Sequence, residues 1–163
     1  MALTPVNPKL IKSDEPMETA NLLVLNGQSW KGGQFLYADA NSALTVCATN
    51  ADASTGGIKY VALVDQADPA NATTYVDVGV ITQDMVFEGN ELDGTATATD
   101  IGGQYALDVT SNICTLDLGD TSDDAFEIVD IGHLRNPAEY AATDVKNKVW
   151  FKVIPACIEA AKV

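Results

Sequence analysis

His133 is the only imidazole in this 163-residue chain, and Cys47, Cys114 and Cys157 are its only thiols. Nucleophilic catalysis of the Ser-His-Asp or Cys-His kind needs an imidazole beside the nucleophile. No Gly-x-Ser-x-Gly elbow is present, no cysteine lies near His133 in sequence, and Gly132-His133-Leu134 reads as a solvated loop at a strand end. With 23 carboxylates some pair will always sit at a glycosidase-like distance, so acidic pairs carry no signal by themselves. Two segments resemble oxygen-rich cation loops. Asn50-x-Asp52-x-Ser54 begins like a calcium loop, but its glycine falls at the seventh position and Val61 stands where a bidentate glutamate is needed. Asp117 to Asp124 is a denser cluster whose default reading is a solvated hairpin loop. Gly56-Gly57 and Gly102-Gly103 are bare pairs without the context of a phosphate cradle. No catalytic residue, metal ligand or cofactor site is assigned, and the chain is read as a non-enzyme.

The elements that would position such groups are mostly strands. Apolar and polar residues alternate in Tyr75-Val76-Asp77-Val78-Gly79-Val80-Ile81 and Phe126-Glu127-Ile128-Val129-Asp130-Ile131. That period describes a sheet with one buried and one wet face. Further strands are expected at 22–25, 34–37, 44–48, 58–64, 85–87, 104–109, 113–118 and 149–154, separated by Gly, Asn, Asp, Ser and Thr. The fold class is therefore mainly β, a single antiparallel barrel or sandwich of about nine or ten short strands. One short helix is expected near 137–145, with Asn136 as its cap and Pro137 in its first position. Residues 1–20 contain Pro5, Pro8 and Pro16 and read as an extended N-terminal arm before a β-rich domain at 21–163. Such an arm is either disordered or laid across a neighbouring subunit.

Charge divides the chain. Residues 60–134 hold 15 Asp or Glu and neither Lys nor Arg, while the other 88 residues hold all nine basic residues and eight acids. A net charge of −14 argues against nucleic-acid and anionic-membrane partners. The odd, widely spaced cysteines suit buried thiols rather than a disulfide framework or a zinc site. No apolar run approaches the length of a membrane span, and the N-terminus lacks a secretory pattern, so a cytoplasmic origin is expected. Contacts are expected from the arm and the lysine-bearing ends, with Leu3, Val6, Leu10, Ile11 and Trp30 as candidate interface residues. The acidic block is then the side that does not bind.

In layout the chain resembles the capsid decoration, or cement, proteins of tailed bacteriophages. The likeness lies in the arm, the strand-opening Trp30-Lys31-Gly32-Gly33-Gln34-Phe35, the segment Ile101-Gly102-Gly103-Gln104-Tyr105-Ala106-Leu107-Asp108, and the closing Val149-Trp150-Phe151-Lys152-Val153. The resemblance implies a virion protein, assembled in the host cytoplasm, that binds the outer face of a capsid. There it would clamp neighbouring major capsid subunits as a homo-oligomer, favourably a trimer. The alternative is a calcium- or carbohydrate-binding β-domain of a tail, fibre or surface protein.

Overall fold

A computed structural model describes residues 6–49, 52–53, 57–67, 74–92, 95–138 and 148–159. Eleven strands are present among them: β1 (Lys9–Lys12), β2 (Thr19–Leu23), β3 (Phe35–Ala38), β4 (Leu44–Val46), β5 (Tyr60–Ala62), β6 (Tyr75–Val80), β7 (Val86–Leu92), β8 (Gln104–Thr110), β9 (Ile113–Asp117), β10 (Phe126–Ile131) and β11 (Lys148–Val153). Helix among the described residues is confined to short pieces: residues 52–53, α1 (Gly132–Arg135), α2 (Pro155–Glu159) and a 3-10 turn at Ala98–Asp100. No helix among the described residues is long and apolar enough to cross a membrane.

The first sheet runs β1-β7-β11-β10-β8-β9, and a parallel pairing of β7 with β9 closes its last five strands into a barrel. Strand β7 makes the closure possible by dividing its outer edge. Val86–Glu88 pairs with β1, and Asn90–Leu92 pairs with β9. The second sheet runs β2-β6-β5-β3-β4. Its two ends meet where Val24, just past β2, bridges to Leu44 of β4.

Side-chain alternation explains how the two sheets join. In β3, Phe35 points into the barrel while Leu36 points into a smaller core with Val24, Trp30, Leu44, Ala62 and Val78. All four phenylalanines of the chain meet in the barrel. Phe35 lies 5.3 Å from both Phe87 and Phe126, and Phe126 lies 4.7 Å from Phe151. Edge-on and tilted contacts of this kind add to the large apolar area that aromatic rings bury. The three thiols are free and buried in the same core, as their spacing suggested. Burial raises all three, Cys114 to about 12 and Cys157 to about 11.

The described part of the arm is extended and lies on its own domain. The Asn7 side chain donates to the Asn112 carbonyl and accepts from the Cys114 N–H, at 2.9 and 2.8 Å. Lys9–Lys12 then adds a strand to the barrel sheet. The Ser13 hydroxyl and Asp14 N–H both donate to the Asp84 carboxylate. Further on, Met17 lies directly over Gly79.

The helix expected over 137–145 falls largely outside the described residues. Asn136 ends α1, its N–H donating to the Gly132 carbonyl, and Pro137 and Ala138 form a turn.

Candidate interaction face

Four adjacent strands, β1, β7, β11 and β10, form one outer wall of the barrel, and α1 stands at its edge. Five of the nine basic residues lie on these elements: Lys9, Lys12, Arg135, Lys148 and Lys152. A groove of about 460 Å³ crosses the wall, lined by Ile11, Lys12, Val86, Val129, Asp130, Arg135, Trp150 and Lys152. The register explains the gathering. Lys9, Glu88, Trp150 and Asp130 share one row across the four strands, all on the outer face.

Trp150 forms the floor of the groove and is held on two sides. Its indole N–H donates to Glu88 Oε2 at 3.1 Å, and the Arg135 guanidinium lies over its ring, 5.0 Å from the centroid. A cation over an indole face is attracted by the ring quadrupole. Arg135 is placed by a 2.8 Å ion pair with Asp130. Lys148 sits 3.8 Å from Glu88, and burial lowers its pKa while Glu88 opposes that shift. Lys12 and Lys152 make no ion pair with any described residue.

The other side of the barrel differs. Asp108, Asp117 and Asp120 border a shallow depression of about 360 Å³ on β8 and the β9 turn. Their loop satisfies itself: Asp117 Oδ1 accepts from the Gly119 N–H, and Asp120 Oδ1 accepts from the Ser122 N–H and hydroxyl. Among the described residues no group of three or more His, Cys, Asp or Glu side chains is placed to hold a metal ion. Asp52 likewise turns inward, accepting from the Ala48 and Thr49 N–H groups, and the rest of the Asn50–Ser54 motif lies largely outside the described residues. His133 is not a solvated loop residue. It is 8% exposed, inside α1.

The structure separates the five candidate interface residues. Val6 and Ile11 are 49% and 45% exposed, and Ile11 lines the groove. Leu10 packs against the barrel core. Trp30 is 2% exposed and caps the smaller core, where its backbone pairs with Gln66, so it is a packing residue and not a surface one. Leu3 lies outside the described residues. Trp150 is part of this face, and sequence reading missed Val86, Val129 and Asp130 there. The last three belong to the block without Lys or Arg, so that block does not as a whole mark a side remote from the basic residues. The signal available was the phase slip at Val129, where two successive residues between Ile128 and Ile131 turn outward. No family model matches the chain, and neither a curated protein nor a solved structure is significantly similar to it.

Proposed function

We propose that this chain is a structural virion subunit that docks by its β1–β11 wall onto the outer surface of an assembled phage capsid and clamps neighbouring major capsid subunits. The observation that carries the reading is the gathering of five of nine basic residues, with a fixed tryptophan and an exposed isoleucine, on one wall of a domain of net charge −14. Elsewhere the acidic surface limits non-specific association in solution. The basic wall supplies one oriented contact, and the layout likeness to decoration proteins supplies the lattice as its target.

Such a protein works by multivalency. Several modest contacts made by a trimer on a repeating lattice give tight attachment. Occupying the assembled shell but not its free subunits stabilises the shell by mass action. The test is co-sedimentation with purified expanded capsid shells, alongside light scattering of the free protein. Saturable binding by a homo-oligomer is expected. Recovery of all the protein in the supernatant at every ratio would overturn the reading.

A further inference from the structure

We propose that the groove on the β1–β11 wall seats an extended acidic segment of the docking partner. Its aliphatic side chains would rest on Ile11, Val129 and the Trp150 floor between them, and carboxylates would meet Lys12, Lys152 and Arg135. The inference rests on the docking function above and names the chemistry of what docks.

The first observation is an irregularity placed on both flanks of the groove. Strands present alternate side chains to opposite faces. Leu10, Phe87, Phe151 and Ile128 form one continuous inward row across the four strands. Beside this row the ladder slips twice, at Ile11 between Leu10 and Lys12, and at Val129 between Ile128 and Asp130. The other ladders among the described residues keep their register. Each bulge therefore turns two consecutive side chains outward, Ile11 with Lys12 and Val129 with Asp130, and all four line the groove. Re-aiming a side chain beside a binding site is a recurrent use of bulges.

Charge complementarity selects the occupant. Lys12 and Lys152 make no ion pair with any described residue, although the chain carries 14 excess negative charges. Arg135 spends one nitrogen on Asp130 and its face on Trp150. The groove thus offers cationic donors around an aliphatic and aromatic floor. Dense phosphate is disfavoured because Glu88, Glu127 and Asp130 lie on the same wall of an already anionic protein. Single carboxylates spaced along an extended chain avoid that repulsion. Crossing four strands takes about 14 Å, which is about four extended residues.

The experiment uses fluorescence anisotropy with a labelled, end-blocked Asp-Ile-Asp-Leu-Asp peptide. The same peptide with Asn in place of Asp and inorganic tripolyphosphate serve as competitors. Wild-type protein is expected to bind the acidic peptide, with affinity falling severalfold at about 0.5 M salt. The Lys12→Glu/Lys152→Glu variant is expected to bind about tenfold more weakly. Lys12→Gln/Lys152→Gln should show an intermediate loss, and the melting temperature of each variant establishes that it folds. Equal binding of the Asn peptide, indifference to both variants, or displacement by tripolyphosphate at lower concentration than by the peptide would each overturn the inference. A variant that loses self-association instead assigns the groove to a second copy of the chain, and overturns it too. Variants that lose the peptide but still sediment with capsid shells overturn the inference and leave the docking function standing. Wild-type protein that binds the peptide but not the shells removes the function and keeps the groove chemistry.

Discussion

Asp84 holds the arm at one carboxylate. Hydrogen bonds from the Thr82 hydroxyl, the Asp14 N–H and the Ser13 hydroxyl hold its pKa down to about 2. Its folded value lies below its unfolded one, so its contribution is complete above the ordinary carboxylate range and is lost as pH falls through about 2. Acid should therefore free residues 13–18 in the window from about pH 4 down to about pH 2. Asp84→Asn should loosen them already at neutral pH, read as faster amide exchange and protease cleavage within the arm. Gly33 holds the same arm from beneath. Its φ is +87°, and an added Cβ would lie 2.7 Å from the Pro8 carbonyl oxygen and 2.8 Å from Asn7 Cβ. Backbone strain and a backbone clash act together there, so Gly33→Ala should cost about 1–3 kcal/mol, measured by urea unfolding. Gly33 was legible only as a turn residue, because the chain that crosses it comes from more than twenty residues away.

At the scale of elements, the bulge in β10 makes a sharp prediction. Deleting Val129 leaves Phe126-Glu127-Ile128-Asp130-Ile131, a strict alternation that keeps Phe126, Ile128 and Ile131 facing the core. The deletion variant should fold with stability within about 1 kcal/mol of the parent by thermal unfolding. It should also lose acidic-peptide binding, because the groove loses one flank. The same irregularities decide what the sequence revealed. Tyr75–Val80 was legible because its inward residues are apolar and regularly spaced, and Phe126–Ile131 because Phe126, Ile128 and Ile131 are apolar. The exact phase at Val129 was not, since Ile128-Val129 looks like a continuation of the apolar run. Strand β1 was hidden because Lys-Leu-Ile-Lys follows a proline and its bulge breaks the period. The far half of β7 was hidden because Asn90 and Glu91 are buried polar residues, which in sequence look like a turn. At α1, Gly132-His133-Leu134-Arg135 is a single turn, too short to show a helical period in the sequence.

The whole molecule is two β cores joined by strands that serve both, β3 through Phe35 and Leu36 and β5 through Val61 and Ala62. Phe35 reaches from the second sheet into the ring cluster of the barrel, while its neighbour Leu36 serves the other core. Phe35→Ala should cost about 3–5 kcal/mol and reduce the cooperativity with which the two cores unfold, seen as separation of fluorescence and calorimetric transitions. Apolar alternation placed strands along the chain, and the charge map showed that charge is unevenly distributed along it. Neither shows which strands become neighbours, because pairings such as β1 with β7 and β10 with β11 are set by tertiary closure and not by local spacing. That is why the sequence singles out the arm and the lysines near the C-terminus only separately, and their meeting in one groove is not legible in it.

The divided edge of β7 has a consequence for assembly. Half of that edge is completed by a strand from the arm, tethered to the remainder of the chain through the short stretch between Lys12 and Thr19. If the arm lifts, Val86–Glu88 becomes an open template with a fixed register, and the arm of another molecule meets it on equal terms. Two copies brought close together would then be able to exchange arms without altering either core. A contact made within one subunit would become a covalent-chain link between neighbours.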